Sequence, residues 1–146
     1  MIAERLALGA MNVAYNKVCE TDAFAPKLKE ALCVSGENGT CGKVVLTFDF
    51  VKDGFEVRED KKRLEELRQM EEIAGEKLAE DFTGFEIAGD DGIFYPAEFE
   101  FDKCDCSKII LSSKKVENPV NARYAWFNYG PVTIFEKNGM PLSPFT

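Results

Sequence analysis

The spacing of hydrophobic and polar residues changes period several times along the chain, and each change marks a predicted element. Ile2, Leu6, Ala10 and Val13 fall on one stripe of a 3.6-residue period, and Ala3, Ala7, Met11, Ala14 and Val18 fall on the adjacent one, which predicts a helix from Ile2 to about Val18. Its apolar face is wide for a terminal helix of a small protein, so it requires a covering surface: this domain's own core or a partner. After Pro26 the segment Lys27-Leu28-Lys29-Glu30-Ala31-Leu32-Cys33 alternates as an edge strand does, and Asn38-Gly39 signals a hairpin turn. Lys43–Phe50 alternates cleanly, with Val44, Leu46, Phe48 and Phe50 on one face, and Lys52-Asp53-Gly54 closes it.

The period then returns to that of a helix. Arg58 to about Glu80 is dense in Glu, Lys and Arg, with Leu64, Leu67, Met70, Ala74 and Leu78 at helical spacing and a break near Gly75. This predicts a charged amphipathic helix inserted at about 57–81, with a solvated face or a partner-binding one. From Thr83 the period is two again. Phe85 and Ile87 precede the turn Gly89-Asp90-Asp91-Gly92, Ile93–Tyr95 follows, and Ala97, Phe99 and Phe101 alternate with acids. Cys104–Ser107 and Asn118-Pro119 turn the chain around a strand at Lys108–Ser113, and further strands are predicted over Val120–Phe127 and Val132–Phe135. Short strands at such intervals predict a mainly β fold, an antiparallel β-sandwich-like domain carrying an N-terminal helix and one inserted charged helix.

At 146 residues, 45% hydrophobic and 30% charged, the chain can bury one substantial core. The net charge of −8 argues against a duplex nucleic acid partner, which needs a basic face. Charge is unevenly placed: Asp81–Cys106 holds eight acids and one lysine, whereas Ser107–Thr146 holds five basic residues and two acids. The longest uncharged stretches, Leu6–Asn16 and Tyr124–Phe135, fall short of the roughly 20 apolar residues that span a bilayer, so no membrane partner is expected. The opening segment lacks a basic region ahead of a long apolar run and does not read as a secretory signal.

The chain contains no histidine, which excludes a Ser-His-Asp or Cys-His catalytic site and an imidazole metal site within it. No glycine-rich phosphate loop and no Gly-x-Ser-x-Gly elbow is present. Cys104-Asp105-Cys106 is too tightly spaced for a usual zinc site, and Gly89-Asp90-Asp91-Gly92 is explained as a turn without calcium; neither a metal nor a cofactor is expected. Cys33 and Cys41 flank the Asn-Gly turn and are candidates for a disulfide under oxidising conditions. Tyr124, Trp126 and Tyr129 lie in an aromatic-rich end; they read either as core or as a sugar-stacking platform.

The tail carries a more specific signal. Ala122-Arg123-Tyr124-Ala125-Trp126-Phe127-Asn128, then Pro131, then Glu136-Lys137-Asn138-Gly139-Met140-Pro141-Leu142-Ser143-Pro144-Phe145-Thr146 resembles the C-terminal end of sialate O-acetylesterases. Gly42–Asp49 and Gly84–Gly89 are similar to that family's two preceding strands, and Val116–Val120 to the turn between them and the tail. Arg5-Leu6-Ala7-Leu8-Gly9-Ala10 is similar to the helix that follows the family's catalytic Asp-x-x-His-Pro segment, while Glu56–Glu80 departs from the family as an insertion.

The resemblance implies a division of the chain. Residues 1–24 resemble the last helix of an SGNH-type hydrolase domain, and residues 25–146 resemble the C-terminal β-sandwich accessory domain after it. The family's catalytic serine, acid and histidine have no counterpart here, so the chain is expected to be inactive alone. The implied role is a non-catalytic accessory domain of an enzyme that hydrolyses O-acetyl esters on sialic acid or related sugars. Its implied partners are the hydrolase domain and an acetylated sugar. The alternatives are a stand-alone carbohydrate-binding domain built on the aromatics, or a protein-interaction domain using Arg58–Glu80.

Overall fold

The computed structural model describes residues 2–15, 18, 20–36, 41–58, 83–126 and 133–146. The predicted charged helix, from residue 59 onward, lies outside them; its expected first positions instead end a strand at Val57.

Two helices come first, α1 (Ile2–Tyr15) and α2 (Glu20–Ala23). Among the described residues nine strands follow: β1 (Lys27–Val34), β2 (Lys43–Asp49), β3 (Phe55–Val57), β4 (Phe85–Ala88), β5 (Phe94–Pro96), β6 (Glu98–Phe101), β7 (Lys108–Ser112), β8 (Asn121–Tyr124) and β9 (Ile134–Glu136). All described pairings are antiparallel, so the fold is mainly β with a helix at its N-terminus. A four-stranded sheet runs β1-β2-β7-β6, a three-stranded sheet β5-β4-β8, and a two-stranded ribbon joins β3 to β9.

Register explains how alternation builds the core. Val44 faces Leu111, which faces Phe99; Leu46 faces Ile109, which faces Phe101. These rows meet Phe85 and Ile87 of β4 and Tyr124 of β8 in one buried cluster, so the two larger sheets share a single apolar interior. Both sheets draw on one stretch of chain: β5 pairs with β4, β6 pairs with β7, and the chain crosses between them at buried Ala97. Ala97 N–H donates to the Phe85 carbonyl (3.0 Å), and the Thr83 hydroxyl donates to the Ala97 carbonyl (2.7 Å), so the crossing leaves no backbone group orphaned.

Two glycines are dictated by close approach. A Cβ at Gly42 would sit 2.2 Å from Pro119 Cδ and 2.3 Å from the Glu117 carbonyl oxygen. Gly84 combines a φ of +87° with the Tyr124 ring lying against it. Phe50, expected on the inward face of β2, leaves the strand with φ 64° and packs its ring 5.4 Å from Phe24 instead.

The loop between β6 and β7 is organised by two aspartates. Asp102 Oδ1 accepts the N–H groups of Cys104 (2.7 Å) and Asp105 (3.0 Å). Asp105 accepts the Ser107 hydroxyl (2.6 Å) and N–H (3.1 Å) and pairs with Lys108 (3.0 Å). The Ser107 hydroxyl, then Lys108, lower its pKa from 3.8 to about 2. A depressed carboxylate stabilises the fold above its unfolded value and ceases to do so as pH falls through the folded one. Asp105→Asn is therefore expected to remove part of the Tm decline seen in thermal melts between about pH 4 and about pH 2. An unchanged decline would show that the loop makes no contribution.

Candidate interaction surface

The C-terminal signature is where the sequence is most specific, and its residues act as structure. Glu136 is fully buried, yet its carboxylate is satisfied: Oε1 accepts Asp53 N–H (2.9 Å) and Lys52 N–H (3.4 Å), and Oε2 accepts Asn138 N–H (2.6 Å). Gly139 N–H donates to the Glu136 carbonyl (2.8 Å), and Asn138 Oδ1 accepts Met140 N–H (2.8 Å). Beyond this turn Leu142 N–H donates to Ile134, Ser143 N–H donates to Pro26, and Phe145 bridges Tyr124 in both directions. The tail thus ties the β3–β9 ribbon, the start of β1 and the end of β8 to one another.

The three candidate aromatics are not brought together on the surface. Tyr124 is 1% exposed; its ring lies 4.5 Å from that of Phe85, and its hydroxyl oxygen accepts Ile134 N–H (3.2 Å). Burial pushes its pKa up, as expected for a phenol held in the core. It presents no face to a ligand, because stacking on it would require opening the core. Trp126 is 57% exposed, and Tyr129 lies outside the described residues.

Cys33 and Cys41 are both free thiols, as are Cys104 and Cys106. Register accounts for the missing Cys33–Cys41 bridge. Cys33 faces Val44 and Val34 faces Lys43, so the position opposite Cys33 is taken by Val44 and not by Cys41. Cys41 also precedes β2, which begins at Lys43, so it has no partner position in that ladder. Desolvation raises the Cys33 pKa and keeps the thiol protonated. Among the described residues no group of three or more Cys, Asp or Glu side chains converges as metal ligands would.

The largest unsatisfied feature is α1. It makes its extended contact with α2, and no strand packs broadly against it. Leu6 is 70% exposed, Val13 77% and Tyr15 69%, and Ala3, Ala7, Ala10, Met11 and Ala14 are exposed with them. Between Ala3 and Ala14 the members of both stripes therefore face outward, and the reading in which this helix docks on its own domain's core is set aside. The segment after α1 is held firmly: Asp22 pairs with Lys52 (3.7 Å), Phe24 packs on Phe50, and Pro26 is buried. No described helix is long and apolar enough to cross a membrane.

A mainly β domain of antiparallel sheets, with an apolar helix carried outside its core, is the class that fold and surface define. No known family model matches the chain, and no curated protein matches it. Among solved structures it is similar to a carbohydrate acetylesterase from Xanthomonas citri, with a TM-score of 0.67 and 28% identity over 99% of this chain. The chain spans 27% of that esterase's length. The likeness supports a relationship to part of a carbohydrate esterase.

Proposed function

We propose that this chain is the non-catalytic C-terminal accessory domain of a carbohydrate esterase of the sialate O-acetylesterase kind. The parent reaction would be hydrolysis of O-acetyl esters on sialic acid or related sugars. The observation that carries the reading is the pairing of an uncovered apolar α1 with likeness to about a quarter of an acetylesterase. Residues 1–24 would form the end of the hydrolase domain, and residues 25–146 the β-domain fixed to it, with α1 as the joint.

Chemistry agrees with this division of labour. With no histidine in the chain, no described arrangement can activate a serine or cysteine by the usual imidazole base. A hydrolase domain seated on α1 would bury Leu6, Val13 and Tyr15. Supporting the hydrolase domain is the role proposed for this chain; acetyl transfer to water would belong to its partner.

The transcript that carries this chain provides the test. A serine-containing hydrolase domain ending in an Asp-x-x-His-Pro segment, encoded in frame ahead of residue 1, is the expected result. An open reading frame without any hydrolase domain would contradict the reading.

A further inference from the structure

The loop between β6 and β7 presents two thiols to solvent. Cys104 and Cys106 are exposed and free, with Asp105 alone between them. Two residues of fully extended chain span at most about 7.2 Å, whereas disulfides join Cα atoms up to about 6.8 Å apart. The chain itself therefore keeps the two Cα atoms inside that range or within about 0.4 Å of it. Their frame is fixed too. Asp102 Oδ1 accepts the N–H groups of Cys104 and Asp105, and Lys108 N–H donates to the Asp105 carbonyl (3.0 Å).

Cys106 also touches a second element. Its S–H donates to the Lys52 carbonyl (3.7 Å), and a Cβ at Gly54, where φ is +86°, would lie 3.2 Å from Cys106 Cβ. The Lys52–Gly54 turn is thus packed on this cysteine. The same turn carries three further ties: Lys52 Nζ pairs with Asp22 (3.7 Å), Lys52 and Asp53 N–H groups donate to buried Glu136, and the Gly54 carbonyl accepts Lys137 N–H (3.0 Å). A change at Cys106 therefore reaches the turn that anchors the tail.

We propose that Cys104 and Cys106 form a reversible dithiol–disulfide site, oxidised by a small-molecule disulfide such as glutathione disulfide and sensed by the Lys52–Gly54 turn. One cysteine, as its thiolate, attacks a sulfur of glutathione disulfide; a mixed disulfide forms and one glutathione thiolate leaves. The other cysteine then attacks the protein sulfur of that mixed disulfide, closing the Cys104–Cys106 bond and expelling the second glutathione. The two thiol hydrogens end on the two reduced glutathiones, and the cysteine pair has lost two electrons. A bridge this exposed is of the labile kind, so a reducing dithiol reverses the step. A disulfide sulfur has no proton to donate, so closure ends the hydrogen bond to the Lys52 carbonyl. The site is separate from α1 and does not depend on what α1 docks against.

The test equilibrates the full chain with reduced and oxidised glutathione at a series of ratios, quenches in acid, then alkylates the free thiols. Trypsin releases Cys104–Lys108 apart from the other cysteines, and mass spectrometry reads that peptide. It is expected to lose two hydrogens and to regain them with dithiothreitol. Half-conversion should need roughly ten-fold less oxidised glutathione than modification of Cys33, which faces Val44 and not a second thiol. In Cys104→Ser the same treatment should leave Cys106 joined to glutathione. On oxidation of the isotope-labelled chain, the amides of Lys52, Asp53 and Gly54 should shift together with those of the loop. A peptide that keeps both thiols, or carries glutathione on each, at every ratio would overturn the proposal. So would bridge formation with amide shifts confined to residues 102–108.

Discussion

Glu136→Ala is expected to lower the unfolding free energy by about 3 kcal/mol, because it empties a buried side-chain site and strips the charged acceptor from part-buried hydrogen bonds to backbone donors. The two short bonds, from Asp53 N–H and Asn138 N–H, carry most of this, and the longer one from Lys52 adds less. For a domain of this size the shift in Tm is roughly 10 °C. Glu136→Gln should fall between, since its amide keeps one accepting oxygen and turns an NH2 group toward a donor. Thermal and urea unfolding of the three proteins measures this directly. An alanine variant that melts with the parent would show that the tail is not anchored through this carboxylate.

The second large effect concerns association. Leu6→Glu with Val13→Glu should leave the melting temperature nearly unchanged, because both side chains lie in solvent and exposed substitutions shift stability by about 0.5 kcal/mol or less. Against the hydrolase part of an acetylesterase of this kind, prepared without its own β-domain, binding should fall at least about 100-fold. Closing the joint would then desolvate two carboxylates without partners. Sedimentation velocity reads both association and its loss. Undiminished association of the double variant would remove α1 from the interface.

How much was legible in the sequence follows from which faces are buried. β2, β4 and β7 could be read from alternation because each buries one face against the shared interior. β1 also alternates, yet it is exposed along nearly its whole length. Ala31 and Cys33 continue the inward rows of Leu46 and Val44, and the apolar interior stops short of them. β3, three residues long, showed no period, whereas β9, no longer, was foreseen within Val132–Phe135.

The aromatic end, open to reading as core or as a sugar-stacking platform, divides between the two environments for a geometric reason. Residues two apart on a strand share a face, so a strand continuing past Tyr124 would put Tyr124 and Trp126 on one side. Ala125 adopts φ 53°, which ends the strand; Tyr124 then points into the core while Trp126 reaches solvent. Glu136 stood in the tail signature but nothing marked it as buried, since a buried acid looks like a surface one until its donors, 83 and 84 residues earlier in the chain, are brought beside it. The wide apolar face of α1 was legible from the start. That it stays uncovered could be learned only from the fold.

The central claim is that this chain supports acetyl-ester hydrolysis without performing it. Assaying the purified 146-residue chain against an aryl acetate and against O-acetylated sialic acid tests that most directly. Acetate release equal to that of buffer at every chain concentration is the predicted result. Turnover that rises in proportion to the chain would contradict it.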